Sequence, residues 1–295
     1  MIARSWLFLP GDSDKKLAKG DGAGADALIL DLEDAVAPEQ KPIARMKVAA
    51  FLAERPRGSR PSELWVRINP LESGIALDDL VAIMSGAPDG IMLPKANGPQ
   101  DVRALSLYLD AFEAQHSQRG GATRILPVAT ETAVAPFRLG DYADAGLARL
   151  AGLTWGAEDL STAVGASTNL GPDGEWAFTY RMVRSLVLLA AHAAEVPAIE
   201  TLYVDFRDEA GLEASCRAAL AEGFAGRIAI HPGQVAAINR SFQPGEDQIA
   251  FAHRVVAAFA GAAEAGTVGL DGKMLDIPHL KQARHVLGMV QARSA

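Results

Sequence analysis

Eight short apolar runs alternate with amphipathic stretches along most of the chain. The apolar residues of the intervening stretches recur every three or four positions, which is the spacing of one buried helix face. Strand and helix alternating eight times predict an α/β fold, a parallel (β/α)8 TIM barrel, because barrel strands are buried on both faces and read as continuous apolar runs. The eight runs are SWLFLPG, ALILDLEDA, LWVRINP, GIMLPKA, RILPVATETA, ARLAGLTWGAEDLS, TLYVDF and RIAIHPG.

The chain continues past the eighth run. Residues 243–265 predict one more long helix, and LDGKMLDIPHLKQARHVL predicts a glycine-broken turn that leads into a last helix. Because eight strands complete a barrel, the sequence predicts a catalytic barrel domain at residues 1–242 and a C-terminal helical appendage at residues 243–295. An oligomer contact or a lid is the expected role of this appendage.

Polar residues follow most of the apolar runs. In a parallel barrel the active site lies at the carboxyl ends of the strands, so these side chains are expected to share one rim. Three carboxylates stand within four residues after the second run. The candidate rim residues are Asp31, Glu33, Asp34, Arg67, Lys95, Glu131, Glu158, Asp159, Asp205 and His231.

Charge and composition exclude several classes of function. The formal net charge of −8 makes nucleic acid an unfavourable partner. No stretch reaches the ~20 apolar residues of a membrane span, and the N-terminal apolar run is too short for a signal peptide. The single cysteine, Cys216, excludes an internal disulfide and predicts a reducing, cytoplasmic location. The sequence contains no HExxH, CxxC, GxSxG or P-loop pattern.

Glu131 and Asp159 follow the adjacent fifth and sixth runs, where two oxygen donors can share one hard cation. Mg²⁺ takes one or two carboxylates and completes its octahedron with water and substrate oxygens, and Mn²⁺ is an alternative. The competing interpretation is that each carboxylate caps the helix after its strand. The additional acids Asp31, Glu33 and Asp34 favour a metal, because uncompensated carboxylates at one barrel mouth would repel each other.

The basic rim residues leave alternatives open. Arg67 is suited to a bidentate grip on a carboxylate or a developing enolate oxygen, or to an internal salt bridge with Glu33 or Asp34. Lys95 is interpreted as a rim charge rather than a Schiff-base amine, because neighbouring carboxylates that bind metal make an imine redundant. For His231, a structural role and a catalytic role both remain open.

The motifs RSWLFLPG, LDLEDAV, RINP, LPKA, ATETA, GAEDLS and AIHPGQV occur in this order. As a set they resemble the citrate lyase beta-subunit-like proteins of the HpcH/HpaI aldolase superfamily, over nearly the whole chain. The resemblance implies a TIM barrel that uses Mg²⁺ to cleave or form carbon–carbon bonds in acyl-CoA thioesters. It also implies assembly as a homotrimer or homohexamer.

Individual positions follow from this resemblance. Glu131 of ATETA and Asp159 of GAED resemble the metal ligands, and Arg67 of RINP resembles the residue that steadies the carbonyl or enolate oxygen. The segment DGKMLDIPHLKQA resembles the C-terminal part of the CoA-ester lyases, in which an aspartate reaches into a neighbouring subunit's site; the corresponding residue is Asp276. ATETA departs from the family's usual IES pattern around Glu131.

The remaining expected roles complete a reaction scheme. Asp276 would exchange the proton of the thioester enolate. Glu33 and Asp34 would hydrogen-bond waters on the metal or orient Arg67 rather than ligate the metal. The phosphates of coenzyme A need positive charge, which Lys16 or Lys19 after the first strand could supply, although both also fit ordinary surface lysines.

The resemblance implies a substrate of the malyl-CoA, methylmalyl-CoA or citramalyl-CoA type. Its cleavage yields acetyl- or propionyl-CoA and a 2-keto acid, glyoxylate or pyruvate. Three related enzymes are alternatives: a citryl-CoA or citryl-carrier-protein lyase, a malyl-CoA thioesterase, and a class II aldolase that acts on free hydroxy-keto acids. A non-catalytic binding module is the fourth.

Overall fold

The apolar runs pair side by side as parallel strands in the computed structural model, which describes residues 2–262 and 266–294. Neighbouring strands follow one another around the sheet in the order β5-β4-β3-β2-β1-β8-β7-β6, so the chain is a TIM barrel as predicted. The strands are β1 Ser5–Pro10, β2 Ala27–Asp31, β3 Glu63–Arg67, β4 Gly90–Leu93, β5 Arg124–Pro127, β6 Leu153–Thr154, β7 Ala198–Glu200 and β8 Gly226–Ala229.

The barrel closes between β5 and β6 through single bridges instead of a long ladder. Ile125 pairs with Leu150 and Val128 pairs with Thr154, both in the parallel sense. The N–H group of Ala129 donates to the carbonyl oxygen of Thr154 at 2.8 Å. These contacts bring the segments after β5 and β6 together at the carboxyl end of the barrel.

Alternate strand residues fill the barrel interior. Trp6 of β1 and Trp65 of β3 pack edge to face, with ring centroids 5.0 Å apart. Position 90 on β4 must be glycine, because a Cβ atom there would lie 2.1 Å from the Trp65 ring. The interior is therefore a packed core and not a channel. Its buried members are Ala3, Trp6, Ala27, Ile29, Trp65, Met92, Leu126, Val128, Ile199 and Ile228.

Helices occupy the connections between strands, as the three- and four-residue spacing predicts. Within the described ranges, none of them is both long enough and apolar enough to cross a membrane. The helices are α1 Asp14–Leu17, α2 Lys41–Ala53, α3 Ala76–Ile83, α4 Pro99–Gln115, α5 Ala157–Ala163, α6 Phe178–Ala193, α7 Glu209–Glu222, α8 Val235–Ser241, α9 Glu246–Ala260 and α10 Ile277–Ser294.

The seventh strand was placed too late in the sequence. TLYVDF, residues 201–206, is rich in residues that favour strands, yet β7 is Ala198–Glu200 and ends just before it. The N–H group of Thr201 donates to the side chain of Glu200 at 2.9 Å instead of to a neighbouring strand. Asp205 consequently lies in the loop after the strand and not at its end.

The chain divides into two units, residues 2–239 and the residues from Arg240 onward. In the second unit, α9 and α10 share a buried apolar cluster that includes Val255, Phe259 and Leu280. The last three residues of the helix predicted at 243–265 lie outside the described residues. Attachment of this unit to a neighbouring subunit stays a prediction.

The segment between α9 and α10 is a β-hairpin, where only a turn was predicted. β9, Thr267–Leu270, pairs antiparallel with β10, Lys273–Asp276. Asp271 and Gly272 form its two-residue loop with φ values of 52° and 72°. An Asp-Gly pair between short apolar runs is a strong hairpin signal, so the sequence did carry this information.

Candidate active site

Asp31 and Arg67 lie side by side at the carboxyl ends of β2 and β3, where they are register partners. Arg67 donates from Nε to Asp31 Oδ1 at 2.7 Å and from Nη2 to Oδ2 at 2.6 Å. The same carboxylate accepts the N–H groups of Glu33 at 2.9 Å and Ala35 at 3.3 Å. The first acid after the second strand therefore orients Arg67 and shapes the turn that follows. The internal salt bridge to Glu33, one of the alternatives left open for Arg67, is also present, with Glu33 Oε2 3.0 Å from Arg67 Nη1, whereas the bidentate pair with Asp31 was not predicted.

Glu33 is buried beside two cations. Its Oε2 lies 3.0 Å from Arg67 Nη1, and its Oε1 accepts a short hydrogen bond from Lys95 Nζ. Burial raises the pKa of the Glu33 carboxyl, and the positive charges of Arg67 and Lys95 only partly oppose this. Glu33 therefore contacts both basic residues of the rim.

A buried polar network supports the turn at Leu32 and Glu33 from the opposite side. Lys41 of α2 donates to the carbonyl oxygens of Leu32 at 2.9 Å and Glu33 at 3.0 Å, and to Asn69 Oδ1 at 2.7 Å. Asn69 donates from Nδ2 to Asp79 at 2.7 Å. The sequence pattern did not indicate these supporting residues. Asn69 within RINP was the one available signal, because a buried amide after a strand needs partners.

Lys95 connects both halves of the rim. Its φ of 51° lies in the left-handed region, and its backbone N–H donates to Glu131 Oε2 at 2.7 Å. Its ammonium group donates to Glu33 and, at 3.0 Å, to Asp34, and lies 3.5 Å from Asp159. Burial would lower the pKa of Lys95, but the hydrogen bond to Glu33 and the surrounding carboxylates raise it. Lys95 is therefore a charged residue within the site, which its interpretation as a rim charge anticipated.

Glu131 is a buried carboxylate, 6% exposed, in the segment after β5. A Cβ atom at Gly156 would lie 2.9 Å from its Cγ and Oε1, so the chain after β6 can approach only because position 156 is glycine. The Gly156 N–H also donates to Thr130 Oγ1 at 3.1 Å. Burial and the nearby charge of Asp159 raise the pKa of Glu131 to about 8.

Asp159 stands in the first turn of α5, and its side chain is 31% exposed. Glu131 faces it from the segment after β5, close enough for the two charges to interact. Asp34 is more open to solvent; burial raises its pKa, but the hydrogen bond and charge of Lys95 outweigh this and the pKa is lowered. The structure thus places Asp34 and Asp159 at the ammonium group of Lys95, while Glu131 binds the backbone N–H of the same residue.

The residues present fit a divalent cation between Glu131 and Asp159. Over the ranges the structure describes, no group of three or more His, Cys, Asp and Glu side chains is arranged to bind a metal by itself. Two adjacent carboxylates are the donor set with which Mg²⁺ keeps several water or substrate ligands. The charge balance also favours binding of a divalent cation, because the rim has five carboxylates and only two basic side chains. The carboxylates are those of Asp31, Glu33, Asp34, Glu131 and Asp159, and the basic side chains are Arg67 and Lys95.

Other predicted site residues are placed apart from this cluster. Lys16 in α1 and Lys19 just after it are exposed in the loop that follows β1. His231 is exposed and stacks on Phe206, with ring centroids 4.8 Å apart. Its Nδ1 accepts the N–H of Gly233 at 3.1 Å, which caps the turn after β8. This geometry is that of a structural histidine.

Asp276 is the last residue of β10 in the second unit. Its exposed carboxylate pairs with the ring of His279, and that hydrogen bond lowers the pKa of Asp276. A carboxylate held in this way is available as a proton acceptor. Its role in catalysis stays a prediction.

Comparison with known proteins agrees with this geometry. The family model described as HpcH/HpaI aldolase/citrate lyase matches residues 4–232. The mitochondrial citramalyl-CoA lyase of Rattus norvegicus is 31% identical, with 96% of this chain and 85% of that protein aligned. The (3S)-malyl-CoA thioesterase of Cereibacter sphaeroides strain ATCC 17025 is also 31% identical, with 99% and 96% aligned.

A solved structure resembles the whole chain. The crystal structure of the protein CitE from Mycobacterium tuberculosis in complex with magnesium, acetoacetate and coenzyme A superposes with a TM-score of 0.78. The two chains are 34% identical, and the match covers 98% of each. The barrel, the paired acids at its mouth and the family match over residues 4–232 together establish that the chain belongs to the HpcH/HpaI aldolase/citrate lyase family of carbon–carbon lyases.

Proposed function

We propose that the protein is a Mg²⁺-dependent CoA-ester lyase. Its substrate is a 3-hydroxyacyl-CoA of the malyl-CoA, methylmalyl-CoA or citramalyl-CoA type, which it cleaves to acetyl- or propionyl-CoA and glyoxylate or pyruvate. The observation that carries this proposal is the pair Glu131 and Asp159 beside Arg67 at one barrel mouth. The M. tuberculosis relative, solved with magnesium, a keto acid and coenzyme A, supports it.

Glu131 and Asp159 would hold the magnesium ion through one carboxylate each. When bound, the ion supplies Lewis-acid polarisation of the substrate's carboxylate and hydroxyl oxygens. The surrounding protein keeps these ligands in place: the Lys95 N–H fixes Glu131 Oε2, and Gly156 leaves room beside Oε1. Mn²⁺ would suit the same oxygen ligands.

Arg67 would offset negative charge on the oxygen atoms of the breaking bond. Asp31 occupies the Nε–Nη2 edge of its guanidinium and Glu33 lies 3.0 Å from Nη1, which leaves one N–H group on each Nη atom for substrate. The ring of Phe8 lies against the guanidinium, 4.5 Å from its centre, and restricts its movement. The donor is therefore oriented before substrate arrives.

The proposed cleavage releases one proton from the substrate hydroxyl group and adds one proton to the thioester enolate. As the carbon–carbon bond breaks, its electron pair passes to the thioester fragment as an enolate, and the hydroxyl group loses its proton to become the keto oxygen. The enolate carbon then gains one proton, so none is consumed overall. We assign both transfers to Asp276 from a neighbouring subunit of a homotrimer or homohexamer: its carboxylate would take the hydroxyl proton and return it to the enolate carbon.

Coenzyme A requires cations for its phosphates, and the loop after β1 offers Lys16 and Lys19. Both side chains are exposed, and β1 ends at the rim that carries Asp31 and Arg67. The acyl-CoA would lie with its phosphates over this loop and its acyl group at the carboxylates. No role for nucleic acid or membrane enters the proposal.

Thioester hydrolysis is a second candidate, because the C. sphaeroides malyl-CoA thioesterase aligns with 99% of this chain. The same carboxylates and cation could direct water at the thioester carbonyl. Hydrolysis releases free coenzyme A and malate, whereas cleavage leaves the thioester intact and releases a keto acid. The products therefore separate the two reactions.

The test is an assay of the purified protein with Mg²⁺ against malyl-CoA, methylmalyl-CoA, citramalyl-CoA and citryl-CoA. Free thiol and keto acid are followed in parallel. We expect glyoxylate or pyruvate without free thiol, and loss of activity with EDTA and in Asp159→Asn. Free thiol without keto acid would identify a thioesterase, oxaloacetate from citryl-CoA a citryl lyase, and cleavage of free hydroxy-keto acids a class II aldolase.

A further inference from the structure

Lys95 places a positive charge beside a proposed metal ligand. Its ammonium group lies 3.5 Å from Asp159 Oδ1, and it also donates to Asp34 at 3.0 Å and to the buried Glu33. A cation in this position is attracted by the same oxygen atoms that attract a divalent metal. The two cations also repel each other, because both are positive.

We propose that Lys95 is a positioning residue that competes with the divalent cation for Asp159 and thereby sets the affinity of the site for metal. This inference rests on the proposed function, because it takes Glu131 and Asp159 as the ligands. It assigns Lys95 no contact with substrate. Its side chain acts by charge, while its backbone N–H orients Glu131.

The alternative partners of the ammonium group make the competition feasible. Glu33 and Asp34 are both within hydrogen-bond distance of Nζ, so Lys95 can leave Asp159 and keep two carboxylate partners. Glu33 in turn keeps Arg67 Nη1 at 3.0 Å. Metal binding therefore costs the rim one ion pair and leaves no buried charge without a partner.

The left-handed conformation of Lys95 explains how one residue reaches both halves of the rim. With φ at 51°, its N–H points to Glu131 while its side chain crosses to Asp34 on the segment after β2. Only the side chain carries charge, so a substitution can remove the charge and keep the backbone hydrogen bond. Charge and backbone geometry are therefore separable by experiment.

The experiment measures Mn²⁺ binding to the full-length protein by the electron paramagnetic resonance signal of free Mn²⁺. Lys95→Met removes the competing charge, and we expect its Kd for Mn²⁺ to fall by about tenfold. Lys95→Arg keeps the charge, so its Kd should stay within about twofold of the parent. Lys15→Met is the matched control, because it removes the charge of an exposed lysine of α1 and leaves the ion pairs of Lys95 with Glu33, Asp34 and Asp159 in place.

Lys95→Gly is the second charge-removing variant, since glycine adopts positive φ without strain. Both charge-removing variants should bind Mn²⁺ more tightly, with thermal melting confirming that each is folded. An unchanged or higher Kd in the folded variants would overturn the inference while leaving the proposed function intact. Failure of the parent to bind Mn²⁺, or binding that Asp159→Asn does not weaken, would instead overturn the metal site and this inference with it.

Discussion

Neighbouring side chains fix the orientation of Arg67. Asp31 is fully buried and holds two guanidinium nitrogens at 2.6 and 2.7 Å, and Phe8 lies against the guanidinium face. Arginine and lysine differ most at such a site, because an ammonium group cannot satisfy both carboxylate oxygens in one plane. The single residue therefore combines a structural pair with the proposed electrostatic role.

For Arg67 we expect Arg67→Lys to fail nearly as badly as Arg67→Ala, each lowering kcat/KM by about a hundredfold or more. The lysine keeps the charge but loses the two-pronged contact to Asp31. Steady-state kinetics with the substrate identified by the product assay measures this. Near-parental rates in the lysine variant would show that the positive charge of residue 67 is sufficient and that the two-pronged contact is not required.

The metal ligands give the second prediction at this scale. Glu131→Gln and Asp159→Asn should each abolish Mg²⁺-dependent turnover, because each removes one of two charged ligands. Neither should lower the melting temperature in EDTA, because each relieves repulsion between neighbouring carboxylates. Turnover and Mg²⁺ dependence equal to the parent in either variant would remove that residue from the ligand set.

The elements differ in how they satisfy their buried polar groups. Where β5 and β6 close the barrel, Thr130 accepts the N–H of Gly156, while Thr154 on β6 is fully buried and its hydroxyl has no hydrogen-bond partner within the described chain. In α4, which precedes β5, the carboxylate of Glu113 accepts two backbone N–H groups and two hydrogen bonds from Arg149. These sites predict opposite responses to substitution.

Thr154→Val should stabilise the fold by about 1 kcal/mol, because it replaces an unpaired buried hydroxyl by a methyl group of the same shape. Thr130→Val is the matched control and should destabilise, since it leaves the Gly156 N–H without its acceptor. Urea unfolding followed by circular dichroism measures both. A loss of stability in Thr154→Val would mean that the hydroxyl has a partner.

Glu113 predicts a dependence of stability on pH. Burial would raise the pKa of its carboxyl, but the hydrogen bonds from Arg149 and from the backbone of Thr123 and Gly121 lower it to about 2. A carboxyl with a lowered pKa stabilises the folded state above its unfolded value and loses that contribution as the pH falls from about 5 to about 2. Glu113→Gln should cost about 2 kcal/mol at neutral pH and flatten this acid limb in urea titrations at several pH values.

At the scale of the whole molecule, Arg67 lies in the unit of residues 2–239 and Asp276 in the unit from Arg240 onward. If Asp276 serves a neighbouring subunit, Asp276→Ala and Arg67→Ala proteins are inactive for different reasons. Mixing them under conditions of subunit exchange should restore activity, since some sites then receive an intact residue from each chain. Mixed oligomers without activity, verified by native mass spectrometry, would contradict this arrangement.

The rule that barrel chemistry lies at strand ends was sufficient to predict most of this site from the sequence. The ends of the apolar runs can be located in the sequence, so the rule places Glu33, Arg67, Lys95, Glu131 and Asp159 at one rim. Pairing is not visible in this way: that Asp31 holds Arg67 depends on the register of β2 and β3.

Hydrogen-bond partners that lie far apart in the chain could not be predicted from the sequence either. Lys41 and Asp79 support the rim from helices whose polar residues read as ordinary solvent-facing positions. The seventh strand was misplaced because three buried residues, Ala198–Glu200, are a weaker pattern than the TLYVDF that follows them. The hairpin at Asp271 and Gly272, in contrast, had a local signal that was overlooked.

The packed pair of Trp6 and Trp65 gives the barrel a single entrance. Because Gly90 has no side chain, the indole of Trp65 packs over it, and buried side chains fill the barrel axis. The proposed site at the carboxyl ends of the strands is therefore reached from that end of the barrel. In the proposed cleavage, substrate would enter and both products would leave at the carboxyl end. If the acyl-CoA lies with its phosphates over the loop after β1, as proposed, the keto acid would leave after the acyl-CoA.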